Sequence, residues 1–402
     1  MKRYKLPFKL GFYLIIIFLA LNASAQGLKI SGRIIDSANH EAVPNVTVYI
    51  GNSSISTAAN KDGRYTLNNL MPGSYTLVTS CIGYAPEQVQ VSLTKDEVVN
   101  INLNIQATEL AEVNIKSNNY WGRNLGLFTT YFIGNSEYSS LCKIINEKAL
   151  RLNFENRILS ASTTDFLIIE NKALGYRIKF LINNYTVDIA KRVFHYNGIA
   201  IFEDLQGSEK QKKNWAKLRQ NVFKASFNGF LHSLARSKVT QDGFIVRRFL
   251  RYDNPDRPAD SVLQKSIERL MTMKPSKAVT DSLANLSYTR ALPKKIEQVI
   301  GKVLTAADLT KPSKEAGLTD LVFEDYIYVI YKKKRINFRD NLYRTREASD
   351  NQLSIIENKN IADPVQFNAD GLKITKGALF FDGAWGDPSV SYMLPNNYLP
   401  DN

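Results

Sequence analysis

Residues 60–77 read NKDGRYTLNNLMPGSYTL, and this stretch decides how the first part of the chain folds. Two turn pairs, Asp62-Gly63 and Pro72-Gly73, each come just before a short segment in which polar and apolar residues alternate. Glycine accepts a positive φ and proline presets its own φ, so both pairs favour tight turns. The segments that follow, Arg64–Leu67 and Tyr75–Val78, are therefore predicted to be β-strands.

More strands are predicted on both sides of this stretch. In the second of them the apolar residues Val46, Val48 and Ile50 fall on one face. Short strands at regular spacing, separated by turns, are typical of an all-β sandwich. The additional predicted strands are Lys29–Ile35, Pro44–Ile50, Gln88–Val91 and Val99–Leu103.

Five linked motifs occur in order in this region, namely Gly32–Asp36, Pro44–Val46, Asn60–Tyr65, Pro72–Tyr75 and Ile82–Tyr84. Together they resemble the carboxypeptidase regulatory-like domain, a transthyretin-like β-sandwich. The resemblance covers residues 26–116 and implies an accessory module. The related domain of metallocarboxypeptidases accompanies a zinc peptidase, and catalytic zinc needs three protein ligands.

The histidines do not supply such a zinc site. The chain contains His40, His195 and His232, and none has a second histidine or a glutamate at ligand spacing. No cofactor motif and no catalytic constellation is recognised either. The sequence therefore predicts no catalytic, cofactor-binding or metal-binding residues.

The first 25 residues predict export. Four cations precede the apolar run Leu10–Leu21, and Ala23-Ser24-Ala25 follows it as a cleavage pattern. The run is shorter than the ~20 residues that a membrane span needs. We therefore expect residues 1–25 to be a signal peptide of an exported bacterial-type protein, located in the periplasm or at the outer membrane.

Charge divides the remaining chain near residue 116. Residues 26–116 contain six Lys and Arg against eight Asp and Glu, whereas residues 117–402 contain 42 against 30. A shift in charge of this size predicts a domain boundary. Residues 117–402 are expected to form a larger α+β region, with a further division proposed near 255–320.

The larger region mixes strand and helix patterns. Weaker helical signals cover 259–272 and 295–305, and Asn183-Asn184 and Asn197-Gly198 look like turns. Apolar residues recur at helical spacing over 209–238, which predicts one long helix. Strands are predicted within 158–169, 174–182, 199–202, 244–246, 321–323, 326–331 and 379–381.

The predicted helix has two unlike faces. Phe223, Phe227 and Phe230 are expected in the core, where Arg219 would need a carboxylate or carbonyl partner. The opposite face carries the candidate partner-binding residues Lys210, Lys213, Lys217 and Lys224.

Parts of this region also resemble an uncharacterised region that accompanies the same N-terminal domain in exported proteins. The matching residues in the predicted helix are Trp215, Arg219, Phe223, Ser226 and Phe230-Leu231. Leu174-Gly175-Tyr176 before the helix and Phe381–Trp385 near the end of the sequence also match. It implies an architecture but no chemistry.

The sequence favours a non-enzymatic binding or assembly protein of the cell envelope. Its partner would be an envelope protein or glycan, with peripheral membrane contact as a further option, and export argues against nucleic acid. The alternative is an envelope hydrolase acting on peptide or glycan, with the sandwich as an accessory module. A pairing of Cys142 with His195 or His232 would favour that alternative, and whether Cys81 and Cys142 form a disulfide stays open.

Overall fold

The computed structural model of the protein describes residues 27–106, 120–190, 193–315, 317–335, 351–360, 364–374, 379–386 and 389–400. The predicted signal peptide, residues 1–25, lies outside this part of the chain, and so does the predicted boundary at residue 116. Among the described residues, no helix has both the length and the apolar character that crossing a bilayer requires.

Residues 27–106 fold as the predicted β-sandwich. Val46, Val48 and Ile50, which were expected on one face, are all buried in the core between its two sheets. The strands are β1 (Leu28–Asp36), β2 (Thr47–Ile50), β3 (Ser56–Ala58), β4 (Arg64–Leu70), β5 (Gly73–Ser80), β6 (Gln88–Leu93), β7 (Glu97–Val98) and β8 (Ile101–Leu103). One sheet has the order β4-β1-β7 with β8 also paired to β1, and the other has the order β3-β2-β5-β6.

The turn between β3 and β4 shows how the sequence builds this sandwich. The side-chain oxygen of Asn60 accepts hydrogen bonds from the backbone N–H groups of Asp62 (3.0 Å) and Arg64 (2.9 Å). Gly63 has a φ of +73°, and a Cβ there would lie 2.5 Å from the carbonyl oxygen of Ile34. Only glycine meets both conditions. The alternation of polar and apolar residues does not predict β3 and β7, because strands of two or three residues are too short to show it.

A six-stranded sheet begins the second region. One edge of its long central strand, β13, pairs with β14, and the other edge pairs first with β12 and then with β11. The outer edges of β12 and β11 pair with β9 and β10. These strands are β9 (Cys142–Ile144), β10 (Leu150–Glu155), β11 (Ile158–Thr163), β12 (Leu167–Asn171), β13 (Tyr176–Asp188) and β14 (Val193–Asp204).

The two turns predicted at Asn183-Asn184 and Asn197-Gly198 were wrong, because both pairs lie inside β13 and β14. Ile182 pairs with Gly198 and Asn184 pairs with Asn197, so Asn183 is an extra residue on β13. This is a β-bulge, and the irregular backbone of a bulge suits the same residues that form turns. The chain reverses only after Asp188.

The helix α1 (Trp121–Phe132) covers one face of this sheet. The rings of Phe128 and Phe132 stack with centroids 4.6 Å apart, and each meets the ring of Tyr185 edge-on at 5.4 Å. All three residues are buried in the largest hydrophobic cluster that the structure describes. Offset and edge-to-face contacts of this kind stabilise aromatic cores beyond simple burial.

The helix predicted over 209–238 is broken at Ser226, so the prediction of one helix was wrong. The helices are α2 (Glu209–Ala225), α3 (Phe227–Ala235) and the short α4 (Val239–Asp242). Ser226 is extended, and its Oγ accepts the backbone N–H of Gly229 (3.1 Å) as the cap of α3. The helical spacing of apolar residues continues through the break, which is why periodicity alone does not reveal it.

The three phenylalanines expected in the core differ in burial. Phe223 and Phe230 are 2% and 0% exposed, as predicted. Phe227 is only half-buried, which corrects its prediction. Its ring lies at the edge of a second cluster, with centroids 4.9 Å from Phe381 and 5.6 Å from Trp385.

A second sheet and a small three-stranded sheet complete the fold. The strands are β15 (Phe244–Asp253), β16 (Lys295–Ile300), β17 (Thr310–Pro312), β18 (Thr319–Leu321), β19 (Tyr326–Arg335), β20 (Asn351–Asn358), β21 (Val365–Phe367) and β22 (Leu379–Gly383). The helices are α5 (Asp260–Met271), α6 (Lys277–Ala291) and α7 (Ala306–Leu309). The sheet orders are β16-β15-β19-β20-β22 and β17-β18-β21.

The helical signals in this part are confirmed at one place and wrong at another. The signal over 259–272 corresponds to α5. The signal over 295–305 does not correspond to a helix at residues 295–300. These residues form the edge strand β16, which pairs antiparallel to β15. A short apolar run fits the period of a helix as well as that of a strand, and pairing with a neighbouring strand decides between the two. The division proposed near 255–320 stays a prediction, and that range spans α5, α6 and the strands from β16 to β18.

The sandwich packs directly on the six-stranded sheet. Tyr49 and Val78 of the sandwich share a buried cluster with Leu181, Ile199 and Ile201 of the second region. The backbone N–H of Asn52 donates to Ala200 O (2.6 Å), and that of Phe202 donates to Ser53 O (3.1 Å). Backbone hydrogen bonds and a shared core therefore join the two regions.

Candidate functional site

The four candidate lysines lie on the solvent side of α2. Lys210, Lys213, Lys217 and Lys224 are all exposed, whereas Trp215, Val222 and Phe223 on the other side are buried. The exposure agrees with the expectation from helical spacing. Their role in partner binding stays a prediction.

A groove of about 750 Å³ opens beside the first turns of α2. Glu170 of β12, Arg177 of β13 and Lys172 between these strands form one wall. The chain leaving β14 supplies Asp204, Leu205 and Gln206, and α2 supplies Lys210, Gln211, Asn214 and Trp215. Most of these side chains end in a charged or amide group. Of the four candidate lysines, Lys210 lines this groove.

Two glycines hold the indole of Trp215 in place. A Cβ on Gly175, where φ is +69°, would lie 2.2 Å from an indole carbon, and a Cβ on Gly207 would lie 2.5 Å from another. The indole N–H donates to Lys172 O at 2.9 Å. Because Trp215 is only 8% exposed, it serves as a fixed wall and not as an open stacking platform.

Arg219 ties α2 to the sheet below the groove. Its guanidinium donates to Leu174 O (2.6 Å), Gly175 O (2.9 Å) and the Asp204 carboxylate (2.7 Å). Its central carbon also lies 3.7 Å from the centroid of the Tyr176 ring. The sequence predicted a carboxylate or carbonyl partner for Arg219, and the structure confirms both kinds.

A capping box fixes the N-terminus of α2. The Oγ of Ser208 accepts the backbone N–H of Gln211, and the side-chain oxygen of Gln211 accepts the backbone N–H of Ser208 (2.9 Å). This reciprocal pair satisfies two backbone donors and stabilises the first helical turn. It also holds Gln211 at the groove.

The charges in the groove are unevenly paired. Glu170 forms an ion pair with Arg177 (2.9 Å), and Asp204 forms one with Arg219 (2.7 Å). Lys172 and Lys210 have no ion pair within the part of the chain that the structure describes. Both acids are thus neutralised by arginines, which leaves two ammonium groups free to meet an anion.

The thiol chemistry that would favour a hydrolase is not assembled from Cys142 and His195. Cys142 stands opposite Asn171, which pairs with Tyr176, whereas His195 pairs with Thr186. Ten residues of β13 separate these two positions, roughly 33 Å at the rise of a strand. Burial raises the pKa of the Cys142 thiol to about 12, so the reactive thiolate is disfavoured.

The third histidine contacts a distant backbone carbonyl, and the two cysteines are not bridged. His232 Nδ1 lies 2.6 Å from Asp370 O. Cys81 and Cys142 are both free thiols in the structure. Within the described ranges, no three His, Cys, Asp or Glu side chains are grouped as a metal site would need.

Sequence reasoning found the α2 side of the groove and missed most of the sheet side. Arg219, Trp215 and Leu174-Gly175-Tyr176 were singled out as a shared pattern, and the structure brings them into direct contact. Phe381–Trp385 also meets these helices, because the Trp385 indole donates to Ala225 O (2.8 Å). Glu170, Lys172 and Asp204 carry no local signal, since only the pairing of β12, β13 and β14 brings them to one place.

Three solved structures that are similar to this chain differ in the share of the chain that they cover. A cohesin–X-dockerin complex mutant from Acetivibrio cellulolyticus is 20% identical and covers 19% of this chain and 57% of its own, with a TM-score of 0.18. The pilus 2b backbone protein of group B streptococcus is 14% identical and covers 20% and 41%, with a TM-score of 0.18. A DUF3823 family protein from Bacteroides uniformis is 8% identical and covers 85% and 99%, with a TM-score of 0.16.

These likenesses are too distant to define a function. The chain spans less than two thirds of the cohesin–X-dockerin and pilus chains. No curated protein matches the sequence. The family comparison is more specific, because the CarboxypepD_reg-like domain matches residues 30–115, a stretch that contains most of β1 and all of β2 to β8. Residues 30–115 therefore form a CarboxypepD_reg-like domain.

Proposed function

We propose that this protein is a non-enzymatic binding protein of the cell envelope and that the groove beside α2 binds an acidic glycan. The observation that carries the proposal is the pair of ammonium groups, Lys172 and Lys210, on a groove whose acids are already paired. We propose residues 1–25 as the export signal, which would deliver the protein to the periplasm or the outer membrane. Residues 26–116 and 117–402 are the proposed domains.

The size and lining of the groove suit a short stretch of glycan. Its volume of about 750 Å³ lies in the range of roughly 300–1,000 Å³ that ligand sites occupy. The amides of Gln206 and Asn214 can donate to and accept from sugar hydroxyls. The two lysines would meet carboxylate or sulfate groups, because a charge-assisted hydrogen bond is about twice as strong as a neutral one.

The remaining lysines of α2 extend this surface. Lys213 and Lys217 follow Lys210 at helical spacing, so they continue one basic stripe away from the groove. A chain of acidic sugars longer than the groove would meet this stripe next. The stripe adds long-range attraction that salt screens, while the groove adds close contacts.

The test is to replace both free ammonium groups, Lys172→Gln with Lys210→Gln, and to titrate polygalacturonate against a neutral dextran. Hydrogen bonds to charged groups contribute about 1.5–3 kcal/mol each, so affinity for the acidic polymer should fall at least tenfold. Lys212→Gln is the matched control, because Lys212 is already paired with Glu209 at 3.0 Å. Equal affinity of the double variant and the control would refute the proposed site. Retained binding of an acidic protein without any of the glycan would instead assign the groove to a protein partner.

A further inference from the structure

The helices between β15 and β16 form a hairpin that projects from the second sheet. At 1.5 Å per residue, α5 extends for about 18 Å and α6 for about 22 Å. Within α5 only Leu263 is buried, and within α6 no residue is. Ile267 and Leu283 are half-buried, and each helix makes most of its contacts with the other helix of the pair. The hairpin thus packs mainly on itself.

Charges at the base of the hairpin are paired. Asp260 accepts hydrogen bonds from Lys294 (2.5 Å) and Arg257 (2.7 Å), and these two cations hold the pKa of its carboxyl down at about 2. The side-chain amide of Asn254 also donates to Pro293 O (2.9 Å). The base is therefore fixed to the sheet, and the charge of Asp260 is paired with both cations.

The tip has the opposite character. Met271 and Met273 are 71% and 45% exposed, and every residue from 271 to 278 is exposed. The cations Arg269, Lys274 and Lys277 flank the two methionines in the sequence, and the nearest acidic residues are Glu268 and Asp281. None of these three cations has an ion pair with a residue that the structure describes. The tip therefore presents exposed apolar side chains next to cations that have no ionic partner among the described residues.

We infer that the tip of this hairpin docks on the surface of an anionic lipid bilayer. Methionine is flexible and unbranched, so it can enter the irregular boundary between headgroups and acyl chains. The three cations would then lie at the level of the lipid phosphates, where each is worth about fivefold in affinity. The charge of the tip complements this surface, and an apolar protein partner would not require it. The docking is peripheral and reversible, and it is independent of the groove beside α2.

The dimensions of the hairpin favour this arrangement. With the tip at the membrane, a helix of about 18–22 Å holds the second sheet clear of the lipid headgroups. The hairpin contributes no residue to the lining of the groove, so the two proposed sites are separate.

Sedimentation with vesicles tests the inference with two separate variants. The vesicles are phosphatidylcholine alone, or phosphatidylcholine with one third phosphatidylglycerol. The wild-type protein should sediment with the anionic vesicles only. Met271→Ser with Met273→Ser should weaken this binding about tenfold through lost apolar contact, and Lys274→Gln with Lys277→Gln should weaken it about twenty-five-fold at low salt. High salt should abolish the difference between the lysine variant and the wild type.

Two control variants show whether weaker binding to vesicles is specific to changes at the tip. Tyr288→Ser changes an exposed side chain (69%) nearer the base of the same hairpin, and Lys311→Gln with Lys314→Gln removes two exposed charges elsewhere in the second region. Both controls should bind as the wild type does. Unchanged binding of both tip variants would overturn the inference. So would a concentration-dependent dimer that the methionine variant loses, because a second copy would then cover the tip. The Lys172 and Lys210 variants remain intact at the tip, so failure of one site is distinguishable from failure of the other.

Discussion

Individual residues at the groove act mainly by fixing its shape. The Arg219 guanidinium satisfies two backbone carbonyls and one carboxylate, and it stacks on Tyr176. Lysine could not reproduce this pattern, because an ammonium group lacks the planar fork of donors. Trp215 depends in turn on Gly175 and Gly207, which leave room for its indole. The free lysines would then bind against a wall that does not move.

Gly175→Ala is expected to destabilise the second region by about 3 kcal/mol or more. The left-handed φ of +69° costs an L-residue about 1–2 kcal/mol, and the new Cβ would also lie 2.2 Å from the Trp215 ring. Gly301→Ala is the matched control, because Gly301 has a similar φ of +73° but no atom within 4 Å of the new Cβ. Urea unfolding compares the two variants. Equal losses would show that backbone strain, and not the Trp215 contact, sets the cost.

Among the elements, the break between α2 and α3 matters most for the site. The break lets α2 lie along the groove while α3 turns into the second hydrophobic cluster. Gly229 permits the turn, since a Cβ there would lie 2.1 Å from Phe223 O. One continuous helix could not serve both the groove and that cluster.

The phenylalanines on either side of this break should differ in their contribution to stability. Phe230 is fully buried, so Phe230→Ala should cost about 3–5 kcal/mol by opening a cavity. Phe227 is half-buried at the edge of its cluster, so Phe227→Ala should cost about 1–2 kcal/mol less than Phe230→Ala. Chemical denaturation measures both. A larger loss from Phe227→Ala would mean that its contacts with Phe381 and Trp385 outweigh the difference in burial.

On the scale of the whole molecule, the sandwich and the second region form a continuous interface. Besides the shared cluster around Ile201, the Tyr49 hydroxyl donates to Glu203 (2.8 Å), and Lys179 forms an ion pair with the same carboxylate (2.7 Å). Asn397 bonds back to Ser54 from the far end of the chain. The N-terminal domain is thus a docked part of the protein, more than a tethered appendage.

Limited proteolysis should cut first between about residues 105 and 122, where the charge of the sequence changes and a polar link joins the two regions. The two fragments should still elute together on gel filtration, because the interface survives the cut. Leu181→Asp would place a charge in the buried cluster and should separate them. The released fragment should remain folded by circular dichroism, and an unfolded fragment would show that the sandwich depends on the second region.

The sequence by itself determined the N-terminal sandwich, because its information is local. Asn60-Lys61-Asp62-Gly63 forms a turn through contacts within a few residues, and the alternation of Val46, Val48 and Ile50 needs only a strand to bury one face. The buried and exposed faces of α2 were also predictable, since helical spacing sorts Trp215 from Lys210 without knowledge of the rest. Helical spacing also places Arg219 on the apolar side of α2, and a buried guanidinium needs a partner.

Only the tertiary structure decided the features that depend on distant residues. The extra residue Asn183 is a bulge and not a turn because β14 pairs across it, and residues 295–300 are a strand because β15 pairs beside them. The lining of the groove also depends on contacts between distant residues. Lys172 and Lys210 are 38 positions apart, and pairing of the strands together with the anchor of Arg219 on Leu174 brings them to one surface. Contacts of this kind leave no periodicity in the sequence, so no reading of neighbouring residues could have found them.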